Sequence, residues 1–165
     1  MPRRFGLISD THGFVHRDVH RIFADVEEIL HAGDVGGEHV LEELKIIASV
    51  QAISGNVDHH STVLPLSRTV EMPFGRVGMA HGHMFPADRE RRGKALREHF
   101  AAHEVRLILH GHSHLPLLER RGGAWLLNPG AAGRPRFGIP SSVCVLEWDP
   151  DHDLLRFDFQ PLGWS

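Results

Sequence analysis

A single cysteine, no tyrosine and no apolar run of membrane-spanning length are the first features of this 165-residue chain. Cys144 has no possible internal disulfide partner, so the fold must be held by its core rather than by covalent staples. Its neighbours Val143, Val145 and Leu146 mark it as a small apolar filler inside a strand. After Met1-Pro2-Arg3-Arg4 only a short apolar run precedes Asp10, too short for a secretory leader or a membrane span, so the sequence predicts a cytoplasmic protein. A surplus of positive charge is also missing: 18 Lys and Arg stand against 21 Asp and Glu, for a formal net charge of -3. That balance gives no global attraction to nucleic acid or anionic membrane, and without tyrosine a stacking track for single strands is poorly supplied.

What is present is ordinary in bulk, with 41% hydrophobic and 24% charged residues, as expected for one globular domain over residues 1–165. Histidine is the exception, at 15 residues. His16, His20, His39, His99, His103 and His152 fall on predicted helix surfaces or turns, where a solvated imidazole is the simplest expectation.

Strand-like runs at Phe5–Ser9, Ile29–Ala32 and Val50–Ser54 alternate with helical spacing over residues 17–28 (Val19, Ile22, Phe23, Val26) and 38–47 (Val40, Leu41, Leu44, Ile47). Strand, helix, strand, helix, strand is the pattern of βαβ units and a parallel sheet. Farther on, Arg68–Met72 and Arg76–Ala80 flank Pro73-Phe74-Gly75 as a hairpin. Leu107–Leu109 forms another strand, and residues 88–102 read as a helix whose arginines and lysine form its wet side. Ala124–Leu127, Ser142–Trp148 and Leu154–Phe159 complete a β-rich last third, expected to supply most of a second sheet packed on the first.

Seven metal-binding side chains lie in five short blocks: Asp10-Thr11-His12, Gly33-Asp34, Gly55-Asn56-Val57-Asp58, His81-Gly82-His83 and Gly111-His112-Ser113-His114. Each block alone is weak, since Gly-Asp and Gly-Asn are common turns. Each also follows a strand-like run, and side chains just past the carboxyl ends of strands in an α/β sheet converge on one crevice. Asp34 offers two carboxylate oxygens for bridging two cations, and Gly55 and Gly111 are expected to permit tight turns.

The order of these blocks resembles the calcineurin-like metallophosphoesterases, with their D-x-H, G-D, G-N-x-[HD], H and G-H-x-H blocks, over roughly Leu7 to Gly133. The small bacterial and archaeal phosphodiesterase branch looks similar in length, in G-N-x-D, in His81-Gly82-His83 and in Asn128-Pro129-Gly130. The resemblance implies an α/β fold, a four-layer α/β/β/α sandwich of two mixed sheets with the site at one rim. It implies Asp10, His12 and His114 around one ion, Asn56, His81 and His112 around another, and Asp34 between them. Mixed imidazole, carboxylate and amide ligands suit Mn²⁺, Fe, Ni²⁺ or Zn²⁺ better than Mg²⁺ or Ca²⁺, with Mn²⁺ the first choice. The expected nucleophile is hydroxide, leaving Thr11 and Ser113 as spectators or supporting donors.

Where larger phosphatases of this family carry a histidine after the asparagine, this chain has Val57, which cannot transfer a proton. His83 is the preferred substitute acid, His59 the second, and Asp58 is expected to orient an imidazole. Arg134 and Arg136, on a Gly/Pro-rich loop, together with Asn56, are expected to contact the phosphate or its leaving group. The reading is a dinuclear-metal phosphodiesterase of small phosphodiesters, weak on monoesters. A non-catalytic binding member of the same fold and a nuclease are the alternatives, and homo-oligomers, common among similar proteins, stay open.

Overall fold

Alternation of buried side chains along the strands divides this molecule into layers. The structure, a computed structural model, describes residues 1–58 and 64–164. Strands β1 (Arg3–Ile8), β2 (Glu28–His31), β3 (Ser49–Ala52), β9 (Ser142–Asp149) and β10 (Leu154–Pro161) form one sheet in the order β10-β9-β1-β2-β3. The second sheet, β4-β5-β6-β8-β7, contains β4 (Ser67–Met72), β5 (Gly75–Ala80), β6 (Leu107–Leu109), β7 (Leu117–Arg121) and β8 (Ala124–Asn128). Both sheets are mixed. The neighbours β1–β2–β3 run parallel, as do β5–β6–β8, while β9, β10, β4 and β7 pair antiparallel.

The sheets face each other across one core, to which β1 gives Phe5 and Leu7, β9 gives Cys144 and Leu146, and the second sheet gives Val77, Met79, Leu107, Leu109 and Leu127. The opposite face of the first sheet packs Ile8, Ile29, Val143 and Val145 against helices α1 (Arg17–Ile22) and α2 (Glu38–Lys45). Ala80, Ile108 and Leu126 on the outer face of the second sheet pack against Leu96 and Phe100 of α3 (Arg89–His99) and its end. This is the expected α/β/β/α sandwich. At the helix ends, Phe23 covers Gly6 of β1 and Phe100 covers Gly78 of β5, positions where an added Cβ would come within 2.8 Å and 2.7 Å of the rings.

Several expectations are corrected. Of the three C-terminal strands only β8 joins the second sheet: β9 pairs with β1 because its run Val143-Cys144-Val145-Leu146 is apolar on both faces and needs a central place, leaving β10 at the edge. The helix expected over 17–28 stops at Ile22. Val19, Ile22, Phe23 and Val26 are all buried as their spacing required, but a turn after the helix meets that spacing equally well. α2 ends at Lys45, and α3 gives way at Phe100 to a 3-10 turn, Ala101–His103. The edge strand β7 was missed because Leu117-Leu118-Glu119-Arg120-Arg121 is half polar.

Nor are all the arginines of α3 its wet side. Arg92 is buried and donates to the Ala87 carbonyl at 2.9 Å, and Arg97 ties the helix to the carbonyls of Arg121 and Ala124. Of the histidines read as solvated, His16 is buried and accepts from the Asp18 N–H at the start of α1, while His20 joins α1 to Glu43 of α2 at 2.8 Å. Among the described residues no helix is long and apolar enough to cross a membrane.

Candidate metal centre

The parallel strands β1, β2 and β3 and β5, β6 and β8 end on the same rim, and the five blocks leave from there. Pairing of β1 with β2 continues past the sheet through backbone bonds from Asp10 to Gly33, His12 to Asp34 and Gly13 to Val35, at 3.0, 3.0 and 2.8 Å. Eight non-glycine residues among those described have positive φ, and Asp10, His12, Asp34, His112 and His114 are five of them, with φ of 54°, 50°, 52°, 68° and 60°. Left-handed backbone at a side chain with a Cβ costs about 1 kcal/mol or more and persists only where the surroundings over-determine it. Gly55 and Gly111 serve closeness rather than turn angle, neither having positive φ. A Cβ at Gly55 would collide with the Asp34 carboxylate, and one at Gly111 with Ser9 and Asp10.

The candidate ligands gather into two abutting groups, Asp10 with His12 and His114, and Asp34 with His81 and His112, each with ligand atoms within 4.8 Å of one another. One oxygen of each carboxylate is turned inward. Asp10 Oδ2 accepts from the Ser9 hydroxyl at 2.7 Å and the His112 N–H at 3.1 Å, leaving Oδ1 3.2 Å from His114 Nε2, 3.7 Å from His81 Nε2 and 3.8 Å from His12 Nε2. Asp34 Oδ1 accepts from the Val57 N–H at 3.0 Å, while Oδ2 stands between the groups, 3.2 Å from His81 Nε2 and 3.7 Å from His12 Nε2. The expectation that both oxygens of Asp34 face the site is therefore corrected to one. Asn56 Oδ1 lies 3.1 Å from His112 Nδ1, beside the second group.

These residues fit divalent cations. His81 Nδ1 lies 2.8 Å from the Ala32 carbonyl, which can only accept, so Nδ1 carries hydrogen and Nε2 aims its lone pair inward. Asp10 Oδ1 and His81 Nε2 are both buried with no hydrogen-bond partner among the described residues. Buried acceptors converging on common points call for positive charge. The titration behaviour agrees. Burial favours a neutral Asp34, but the His81 imidazole, its Nε2 3.2 Å away, and the Val57 N–H hold its pKa down to about 2. Burial likewise opposes ionisation of Asp10, and His114 and His81 outweigh it. In His81, burial would lower the pKa, yet Asp34 and Asp10 raise it: the two carboxylates favour positive charge at Nε2, a proton that a bound cation would displace. His12 and His112 are lowered, first by burial, and so present neutral rings.

Other expected residues divide. Among the described residues Asp58 orients no imidazole: its carboxylate accepts from three backbone N–H groups, Val35, Gly36 and Gly55, at 3.0, 2.9 and 2.8 Å, and so pins the loop after β3 to the loop after β2. His83 lies beside the site, its ring 5.6 Å from that of His81 and 6.3 Å from that of His112. His59 lies outside the described residues. Arg136 lines a cleft of about 850 Å³ together with His12, Val57 and apolar Val35, Leu41 and Leu64. Arg134 instead sets its guanidinium over the Trp164 ring at 5.9 Å.

Three buried polar residues beneath the rim have no role assigned from the sequence, although Asn128 is part of the resemblance. Asn128 donates to the Gly111 carbonyl and to Ser113 Oγ, each at 3.0 Å, and so braces the Gly111–His114 turn. His31 and His110 are buried, and burial brings each pKa down to about 4. Their sequence signal was a polar residue interrupting or ending an apolar run.

Two converging carboxylate–imidazole groups at the carboxyl ends of a two-sheet sandwich define a class of metal-dependent hydrolases. Residues 4–151 match the calcineurin-like phosphoesterase superfamily domain, and the chain belongs to that superfamily, whose members hydrolyse phosphoester bonds. It is 37% identical over 150 residues to a probable metallophosphoesterase of Methanothermobacter thermautotrophicus, covering 87% of this chain and 85% of that protein. To phosphodiesterase YfcE of Escherichia coli K12 it is 29% identical over 118 residues, covering 67% and 59%. The crystal structure of a predicted phosphoesterase from Streptococcus pneumoniae superimposes with a TM-score of 0.79 at 23% identity, covering 98% and 90% of the two chains, a likeness of fold.

Proposed function

We propose that this chain is a single-domain cytoplasmic phosphodiesterase that hydrolyses small phosphodiesters with a pair of divalent transition-metal ions, Mn²⁺ foremost and Fe, Ni²⁺ or Zn²⁺ as alternatives. Asp10, His12 and His114 would hold one ion, Asn56, His81 and His112 the other, with Asp34 shared. The observation that carries this reading is a pair of buried atoms, Asp10 Oδ1 and His81 Nε2, that have no hydrogen-bond partner among the described residues and face the same point as Asp34 Oδ2. When bound, such a pair draws phosphate oxygens to itself and acidifies water.

The chain's own residues do the rest. Asp10 and Asp34 stay ionised and supply the negative charge that retains cations. The Ala32 carbonyl fixes the His81 tautomer, and Asp10 Oδ2 anchors the His112 backbone. Arg136, beside His12 on the cleft wall, binds a non-bridging phosphate oxygen, and Asn56 contacts the substrate from the other side. Val57 offers no proton to the leaving oxygen, which favours esters whose leaving group departs as a stable anion; His83, its ring 5.6 Å from that of His81, assists poorer ones.

The experiment is to strip the purified protein with chelator, restore Mn²⁺ and compare bis(p-nitrophenyl) phosphate with p-nitrophenyl phosphate. Metal-dependent turnover with a preference for the diester is expected. No metal-dependent turnover of either ester contradicts the proposal.

A further inference from the structure

His31 has no exposed surface, although it lies in β2 between Leu30 and Ala32. Its Nδ1 lies 3.2 Å from the Gly33 backbone N–H, which can only donate, so Nδ1 accepts and the neutral ring carries its hydrogen on Nε2. That Nε2–H points at Thr11 Oγ1, 2.9 Å away, and the Thr11 hydroxyl in turn donates to the Val35 carbonyl at 2.8 Å. The chain of three hydrogen bonds starts on the turn after β2, crosses to the turn after β1 and returns. Every atom in it is satisfied.

Those two turns carry Asp10 and His12 on one side and Asp34 on the other, each held at positive φ. An apolar residue of similar volume at position 31 would fill the same space. It would leave the Gly33 N–H and Thr11 Oγ1 buried without this partner and remove the imidazole link between the two turns, leaving Thr11 Oγ1 to the Val35 carbonyl as the main side-chain tie across them. We infer that His31 is a positioning residue that locks the Asp10-Thr11-His12 turn to the Gly33-Asp34 turn, so that metal uptake depends on a side chain placed to touch neither ion. The inference rests on the metal-site reading proposed above.

The test titrates Mn²⁺ into the chelator-stripped whole chain by calorimetry, well below the melting temperature, for wild type, His31→Leu, His31→Gln and Thr11→Val. His31→Leu and Thr11→Val are expected to weaken Mn²⁺ binding ~10–100-fold for both ions. His31→Gln, whose amide still donates to Thr11, recovers most of that loss. Melting of the metal-free proteins is the control. A His31 that merely fills the core lowers the melting temperature and leaves the Mn²⁺ affinity of the folded variants unchanged, and that result overturns the inference. Should His31→Leu fail to fold, Thr11→Val, which removes only the hydroxyl, decides in the same way. Wild-type protein that binds no Mn²⁺ refutes the metal-site reading and this inference with it, an outcome distinct from normal wild-type binding with unaltered variants.

Discussion

Val57 lies at the mouth of the site, its N–H bound to Asp34 Oδ1 and its side chain part of the cleft wall. In the larger phosphatases that this sequence resembles, a histidine follows the asparagine, so Val57→His places an imidazole where Val57 offers no proton. General-acid assistance is worth ~10²–10⁴-fold for a poor leaving group and little for an activated one. Turnover of an alkyl phosphate monoester should therefore rise roughly 10²-fold in Val57→His, with p-nitrophenyl diester turnover changing little. Equal effects on both esters would remove the leaving-group argument. A second residue-scale prediction concerns His31. Its folded pKa of about 4 lies below the ordinary 6.5, so the unfolded chain binds its proton more tightly. Stability of the metal-free protein should then be fully present above pH 6.5 and fall as the pH drops toward 4. The loss should reach about 3 kcal/mol from this residue. Denaturant unfolding across that range should show the slope, and His31→Gln should remove part of it.

Two glycines set how closely the outer helices approach the sheets. Gly6 and Gly78 have no room for a Cβ beneath Phe23 and Phe100, and the rings that would have to move are themselves buried. Gly6→Ala and Gly78→Ala should each destabilise the fold by about 1–3 kcal/mol, the usual cost of overpacking a filled core. Thermal melts that match wild type would show that these layers can separate freely. At this scale the sequence was legible where periodicity carried the signal: the parallel strands, the hairpin at Pro73-Phe74 and the buried faces of α1 and α2. It was least legible where neighbours decide. The length of α1 depends on where the chain must turn back to pair with β1. The place of β9 beside β1 depends on which sheet can cover both its faces. The half-polar edge strand β7 is a strand because β8 lies next to it.

For the whole molecule, ligands scattered from Asp10 to His114 meet because six parallel strands, three in each sheet, end on one rim. That convergence could be read from the five blocks, since each follows an apolar run. The supporting groups could not. Asp58 looked like an orienting carboxylate and is a clamp on three backbone N–H groups, because a loop's hydrogen-bond demand is invisible until its path is known. Arg134 and Arg136 are two residues apart on one loop, yet only Arg136 faces the cleft. The most direct measurement of the central claim is an anomalous-scattering map from crystals grown with Mn²⁺. Two peaks are expected, one among Asp10, His12 and His114, the other among Asn56, His81 and His112, with Asp34 between them. A map with no peak at this rim, or with metal only elsewhere on the protein, would contradict the account.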